Sequence, residues 1–328
     1  MRARDNAPMI VMHRPHALRL FFALRGSILP RIAGSLATCT ALALLVTLTH
    51  GRLFDAKITL TPVPFSLIGL ALAIFLGFRN SAAYDRYWEA RKLWGELIFH
   101  ARSLARQLLT LTRLPPTPAR PRVDAAGEMD VRHAIIRRTI AFAHALRQQL
   151  RGTDAPAELQ PWLAPAEQAA LAASRTGSDL LLRLSSRELG ELLRAGQVEP
   201  QIAAQIDHQL CGLAAVAAGC ERIKSTPIPY SYSFFIKCYI TVFIMVMPLV
   251  LVDSCGWWMV PVTMIGAYAM LGLEMIGNEI ENPFGYDSND LPITQLSNKI
   301  RVSVHDLLGV ELPAEKKALA TVPYSVVH

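Results

Sequence analysis

Four runs of apolar residues divide the chain, and each is long enough to cross a membrane as a helix. They cover residues 32–49, 62–78, 234–252 and 257–273, and Lys237 is the only charged residue in any of them. A hydrocarbon core about 30 Å thick requires about 20 mainly apolar helical residues. A single such run is compatible with a buried helix of a soluble protein. Four runs predict an integral membrane protein.

The second apolar run continues as a helix well beyond the membrane. From residue 64 to 111 there is no further proline, and the apolar residues keep helical spacing. A helix over this stretch would be roughly 70 Å long, so it would cross the bilayer and project into the cytosol. The prolines of 115–121 end it. Further helices are predicted over 133–150 and 201–224, which makes the whole chain all-α.

Basic residues gather on one side of the predicted membrane helices. Six arginines precede the first run and four basic residues lie within 79–92, whereas 253–255 contains none. Both termini and the large helical portion are therefore predicted to be cytoplasmic. This asymmetry accounts for the net charge of +7, so no nucleic-acid partner is predicted. The predicted organisation is a cytoplasmic N-terminal segment (1–31), transmembrane helices 1 and 2 (32–78), a cytoplasmic helical domain (79–227), transmembrane helices 3 and 4 (228–277) and a cytoplasmic C-terminal segment (278–328).

The sequence contains no recognisable catalytic motif, and we predict that the protein is not an enzyme. Only 18% of its residues are charged, against about 25% in soluble domains, and its five cysteines have no metal-site spacing. A proton-coupled transporter needs ionisable groups at mid-membrane depth. Only Lys237, near one end of a span, and Glu274, just past another, approach that depth. A transporter and a non-conducting membrane scaffold remain the alternatives to a channel.

Two stripes run along the second apolar helix. Small residues at every fourth position allow helix backbones to approach closely, and bulky apolar residues follow one position later. The small stripe comprises Gly69, Ala73 and Gly77, and the bulky stripe comprises Leu70, Ile74 and Phe78. Both can be packing faces within one bundle. Alternatively, the small residues pack neighbouring copies of this helix around an axis, and the bulky residues form apolar rings that gate ions by dewetting.

Four segments resemble the bestrophin family. Residues 279–292 read EIENPFGYDSNDLP, which resembles the Asn-Pro-Phe-Gly motif and acidic cluster of bestrophins. Residues 78–91 (FRNSAAYDRYWEAR) are similar to the bacterial branch, and 23–30 and 226–230 fit the same branch. The resemblance extends over about 9–312, and it agrees with four membrane spans.

The resemblance implies a homopentamer in the bacterial inner membrane, with one central pore that passes small inorganic ions such as Cl⁻, Na⁺ or K⁺. Carried over by position, the apolar neck of the pore would be formed by Leu70, Ile74 and Phe78, and a second, cytosolic aperture by Gln201, Ile202 or Gln205. Leu70 departs from the isoleucine common in the family. Because an apolar neck carries no charge, the preference between anions and cations stays open.

The acidic motif leaves two interpretations open. In animal bestrophins it forms part of a calcium clasp, and Asn282, Asp287 and Asp290 match positions of that clasp. Two carboxylates and an amide oxygen are hard ligands that suit Ca²⁺, so calcium is a candidate cofactor. However, the acidic run is thinner here than in animal members. The other interpretation is a structural loop whose carboxylates cap helices or pair with arginine.

Overall fold

The computed structural model describes residues 10–11, 28–50, 52–53, 56–57, 61–114, 130–174, 176–287, 289–308 and 325–326. Helices dominate this part of the chain, which confirms the all-α prediction. The helices are α1 (Leu29–Leu48), α2 (Pro62–Thr110), α3 (Val131–Arg151), α4 (Pro156–Leu159), α5 (Pro165–Ala173), α6 (Gly177–Arg194), α7 (Pro200–Ser225), α8 (Tyr230–Cys255), α9 (Met259–Glu281) and α10 (Ile293–Leu307), with 3₁₀ turns at Gln160–Trp162 and Gly256–Trp258. The strands have two residues each and form a parallel pair, β1 (Ile10–Val11) with β4 (Ser325–Val326), and an antiparallel pair, β2 (Arg52–Leu53) with β3 (Ala56–Lys57).

Helix α2 is the long helix that the sequence predicts. It runs for 49 residues without interruption, a length of about 74 Å at the usual rise per residue. Thr61 is extended, and the prolines at 62 and 64 lie in the first turn, where no backbone donor is needed. The helix ends where the amide of Leu111 donates to the carbonyl of Gln107. The proline-rich stretch 115–121 lies outside the described residues.

The membrane-type helices are α1, the first part of α2, and α8 followed by α9. By length and apolarity, three stretches can cross a membrane, the third being Tyr230–Glu281. This stretch turns back on itself at Gly256, whose φ is +52°. Beyond the turn, a methyl group at Gly266 would lie 3.1 Å from the Cε of Met247. Because these two residues are almost equally far from the turn, α8 and α9 form an antiparallel hairpin.

Helix α7 packs antiparallel against the C-terminal half of α2, outside the membrane-type segment. Near one end of this contact Arg113 pairs with Glu199, and in the middle His100 Nδ1 lies 3.0 Å from Gln209 Oε1. The buried apolar side chains between these helices and their neighbours include Trp94, Leu97, Leu104, Leu108, Ile206 and Leu213. The central helix α3 completes this core, since most of its side chains are buried.

Candidate ion pathway

The three predicted neck residues lie together on one exposed face of α2. Leu70, Ile74 and Phe78 are 59%, 50% and 65% exposed in the single chain. The opposite face of the same segment is fully packed, because Leu72 and Leu76 are buried against α8. Helix α2 is therefore held from behind, while its bulky apolar stripe has no partner within the described part of the chain.

The predicted small stripe divides into two parts. A methyl group at Gly69 would lie 2.9 Å from Phe243 Cζ, so this glycine allows α8 of the same chain to approach closely. Phe243 in turn stacks on Phe65, with 4.2 Å between the ring centroids. Ala73 and Gly77 are exposed, and a methyl group at Gly77 would meet nothing within 4 Å. Of the three stripe residues, Ala73 and Gly77 are therefore the two that present a small surface to the outside of the chain.

Directly below the neck, a buried arginine joins α2 to α9. The guanidinium of Arg79 is 1% exposed and donates to the carbonyl of Glu274 at 3.2 Å. It also donates to Asn278 Oδ1 and, at 3.3 Å, to Glu281 Oε2. Gly277 allows this approach, since a methyl group there would lie 2.5 Å from Arg79 Nη1. From the sequence, this arginine is counted only among the basic residues that predict membrane orientation.

Two turns further along α2, Arg86 binds the carboxyl ends of two other helices. It donates to the carbonyls of Ile223 at 2.6 Å and of Thr226 at the end of α7, and to the carbonyl of Glu281 at 3.2 Å at the end of α9. Helix carboxyl ends carry partial negative charge and unpaired carbonyls, which a cation stabilises. Arg86 thereby ties the ends of α9 and α7 to α2.

The Asn-Pro-Phe-Gly loop folds around its own acidic residues. The amide of Asp287 donates to Asp290 Oδ2 at 2.6 Å. Burial raises the pKa of Asp290 to about 7, and the neighbouring charges of Asp287 and Glu279 act in the same direction. Arg31 of α1 pairs with Glu279 and, at 2.8 Å, with Asp287, and Asn289 donates to Glu279. The loop is thus anchored to the first membrane helix.

The predicted calcium ligands are engaged in other contacts in this arrangement. The carboxylate of Asp287 faces the Arg31 guanidinium, Asp290 accepts a backbone hydrogen bond, and Asn282 lies close to Gly285 and Asp290. Across the described residues, no group of three or more His, Cys, Asp or Glu side chains is placed to hold a metal ion. The pairing of Asp287 with Arg31 is the kind of contact that the structural-loop interpretation expects. Calcium binding at these residues stays a prediction.

The predicted cytosolic aperture residues lie near the start of α7. Gln201 and Gln205 are exposed, whereas Ile202 is half-buried against the helical core. The nearby pair Arg113–Glu199 places this end of α7 beside the last turns of α2. These turns are roughly 45 Å below Phe78 along the helix. Of the three residues, the two glutamines have side chains available to line an aperture, and the choice among the three stays a prediction.

Glu274, the residue on which a transporter would depend, lies buried where α9 passes α2. Its Oε1 accepts from Asn278 Nδ2 at 2.5 Å, and its backbone carbonyl accepts from Arg79. It borders a cavity of about 150 Å³ that Arg31 and Lys237 also line. The carboxylate therefore belongs to the network that joins α9 to α2.

Comparison with known proteins places the chain in a family. A model of bacterial and fungal bestrophin proteins matches residues 9–306. A voltage-dependent anion channel-forming protein of Mesorhizobium japonicum is 36% identical over 96% of this chain and 99% of the relative. One of the same description from Escherichia coli K12 is 34% identical over 94% of this chain and 95% of the relative. A crystal structure of a bestrophin homologue from Klebsiella pneumoniae superposes with a TM-score of 0.78 at 32% identity, covering 86% of this chain and 100% of that one. The chain belongs to the bacterial and fungal bestrophin family.

Proposed function

We propose that this chain is the subunit of a passive anion channel of the bestrophin type, in which five copies surround one pore. The relatives at 34–36% identity match this chain over almost their whole length, and both are described as anion channel-forming proteins. Membership of this family favours a channel and not an enzyme. The pore would be lined by α2, with Leu70, Ile74 and Phe78 as its apolar neck.

The observation that carries this proposal is the face of α2 that lacks partners. On the described chain, exposed residues recur along one side of α2 from Leu70 to Arg106. They are apolar within the membrane-type segment and mostly polar or charged below it. A helix that faced lipid and then bulk water would also have an exposed face, and membership of a family of channel-forming proteins favours the pore-lining arrangement. A helix that lines one continuous path through membrane and cytosol needs such a face along its whole length.

We further propose four membrane crossings, with both termini in the cytoplasm and the protein in the inner membrane. The turn of the α8–α9 hairpin carries Trp257 and Trp258, both well exposed, as interfacial anchors. The opposite end of α9 meets Arg79 and Arg86, on the side where basic residues gather. The positive-inside rule places that side in the cytoplasm.

The channel proposal is tested by current measurements on purified protein in planar bilayers with asymmetric NaCl. Truncating the neck with Ile74→Ala and Phe78→Ala should raise the conductance, because a wider or less apolar neck is easier to hydrate. Ile265→Ala on α9 and Phe235→Ala on α8 are matched controls, since both side chains are exposed in the single chain but lie on other helices. Absence of current in the wild type and in both neck variants would contradict a channel and favour a scaffold.

Two further results separate the proposal from its rivals. A transporter predicts that Glu274→Gln abolishes flux while neck variants have little effect, whereas the channel proposal predicts that neck variants dominate. The oligomeric state is tested by native mass spectrometry, where the expected particle has five times the 36.2 kDa mass of one chain. A monomer or dimer that still conducts would overturn the pentameric arrangement.

A further inference from the structure

Asp85 lies on the same face of α2 as the neck residues. It follows Phe78 by seven residues on an uninterrupted helix, and seven residues make almost two full turns. Its direction therefore differs from that of Phe78 by only about 20°, and it lies about 10 Å further toward the cytosol. It is also three turns beyond Ile74. If the neck faces the pore axis, the carboxylate of Asp85 faces the same space just inside the cytosolic mouth.

The neighbouring charges on α2 are engaged, and Asp85 is not. Arg79 is buried and pairs with Glu281, and Arg86 donates only to backbone carbonyls. The carboxylate of Glu89 pairs with Arg222. Asp85 is exposed, and it forms no hydrogen bond or ion pair with any residue of the described chain. It is the first exposed and uncompensated charge below the neck.

The next positive charges on this face are further away. Lys92 follows Asp85 by another seven residues, and its ammonium lies 5.8 Å from the centroid of the Trp88 ring, over which Arg91 also lies at 4.9 Å. Lys92 is about 21 Å from Phe78 along the helix. The Debye length is about 8 Å at physiological ionic strength, so its field at the neck is screened far more than the field of Asp85.

We propose that Asp85 limits the anion preference of the pore, because its carboxylate opposes the entry of anions at the cytosolic mouth of the neck. This inference rests on the proposed function, because five subunits would place five Asp85 carboxylates around one axis. An apolar neck cannot distinguish the sign of an ion, so the local concentrations of Cl⁻ and Na⁺ at its mouth contribute to the permeability ratio of the two ions. A ring of five carboxylates lowers the local Cl⁻ concentration and raises that of Na⁺.

Reversal potentials in asymmetric NaCl test this inference, and the Phe78→Ala background ensures a measurable current. At about 0.15 M salt, Asp85→Asn should raise the chloride-to-sodium permeability ratio at least about threefold. Asp85→Glu should leave the ratio unchanged. Lys92→Gln should lower the ratio by a smaller factor. At about 1 M salt, where the Debye length is about 3 Å, the effect of Asp85→Asn should largely disappear.

Asp179→Asn is the matched control, because Asp179 is an exposed aspartate in the first turn of α6 and not on α2. If the Phe78→Ala channel carries no current, the proposed function itself fails. If it conducts and Asp85→Asn leaves the ratio where Asp179→Asn leaves it, the role of Asp85 is overturned. Loss of the pentamer in Asp85→Asn, with assembly intact in Asp85→Glu, would also overturn it, because the carboxylate would then be a contact between subunits.

Discussion

The guanidinium of Arg79 occupies the space that a side chain at residue 277 would need. A methyl group on Gly277 would lie 2.5 Å from Arg79 Nη1 and would also collide with the Oδ1 of Asn80. Helix α9 can therefore approach α2 only because residue 277 is a glycine. Arg79 directly follows Phe78, so this contact fixes to α9 the backbone that carries the last residue of the proposed neck.

We expect Gly277→Ala to destabilise the protein by about 1–3 kcal/mol, the usual range for overpacking a close contact. The methyl group would push α9 away and stretch the hydrogen bonds of Arg79 to Glu274 and Asn278. Thermal unfolding in detergent measures the effect. Gly272→Ala is the control on the same helix, because a methyl group there would meet nothing within 4 Å. Equal unfolding temperatures for the two variants would show that the contact is not tight.

The Arg79–Glu281 pair should behave as a coupled unit. Both side chains are largely shielded from water, at 1% and 17% exposure. Glu281 also accepts the amide of Ile228 at 3.1 Å. Removing one partner of a buried pair leaves the other charge uncompensated, so Arg79→Gln should cost about 3–5 kcal/mol. Chemical denaturation of Arg79→Gln, Glu281→Gln and the double variant measures the coupling, which we expect to exceed about 1 kcal/mol.

The exposed i,i+4 pair Arg187–Glu191 is the control for this double-mutant cycle. Its atoms are 3.2 Å apart, but both side chains are more than half exposed. Solvent screening limits such pairs to no more than about 0.5 kcal/mol. If the Arg79–Glu281 variants proved additive, the buried arginine would be held by its carbonyl and amide contacts and not by the carboxylate.

Helical spacing was sufficient to predict the length of α2 and the shared exposed face of Leu70, Ile74 and Phe78, because both depend on residues close together in the sequence. The same spacing also contains a signal for a structural role of Arg79. Leu72, Leu76, Arg79 and Ala83 follow one another at intervals of three and four residues, and all four are buried. An arginine that continues a buried apolar stripe indicates a structural contact and not only membrane orientation.

Contacts between distant parts of the chain could not be predicted in this way. Arg31 pairs with Asp287, 256 residues away, and this pairing joins the acidic motif to α1. Gly69 belongs to the small stripe by spacing, yet it packs against Phe243 of the same chain. Spacing identifies which residues share a helix face, whereas tertiary packing decides which helix covers that face.

Asp290 should make stability dependent on pH. Burial raises its folded-state pKa from 3.8 to about 7, so the folded protein binds this proton more tightly than the unfolded chain. Its contribution is therefore most favourable below about pH 4 and is lost progressively as the pH rises to about 7. Above that pH both states are ionised and the contribution is constant.

The measurement is the unfolding temperature of the wild type and of Asp290→Asn between pH 5 and pH 8. Subtracting the unfolding temperature of Asp290→Asn from that of the wild type at each pH cancels the contribution of all other titrating groups. We expect the wild type to lose stability relative to Asp290→Asn as the pH rises to about 7, and the difference to stay level above it. A difference that is the same at pH 5 and pH 8 would show that Asp290 is ionised throughout this range.

A last prediction concerns how the proposed neck stops ions. Either water leaves the apolar constriction, or the side chains block the path by their bulk. Asparagine is smaller than isoleucine but larger than alanine, and it can hydrogen-bond to water. If ions are stopped because water leaves an apolar constriction, Ile74→Asn should raise the conductance at least as much as Ile74→Ala, although it leaves the neck narrower. Ile74→Leu keeps both the volume and the apolar character of the side chain, so the conductance should change little. Ile265→Asn, on the exposed face of α9, controls for the general effect of a polar residue in a membrane helix. If Ile74→Ala conducts and Ile74→Asn does not, the neck is closed by the bulk of its side chains and not by their apolarity.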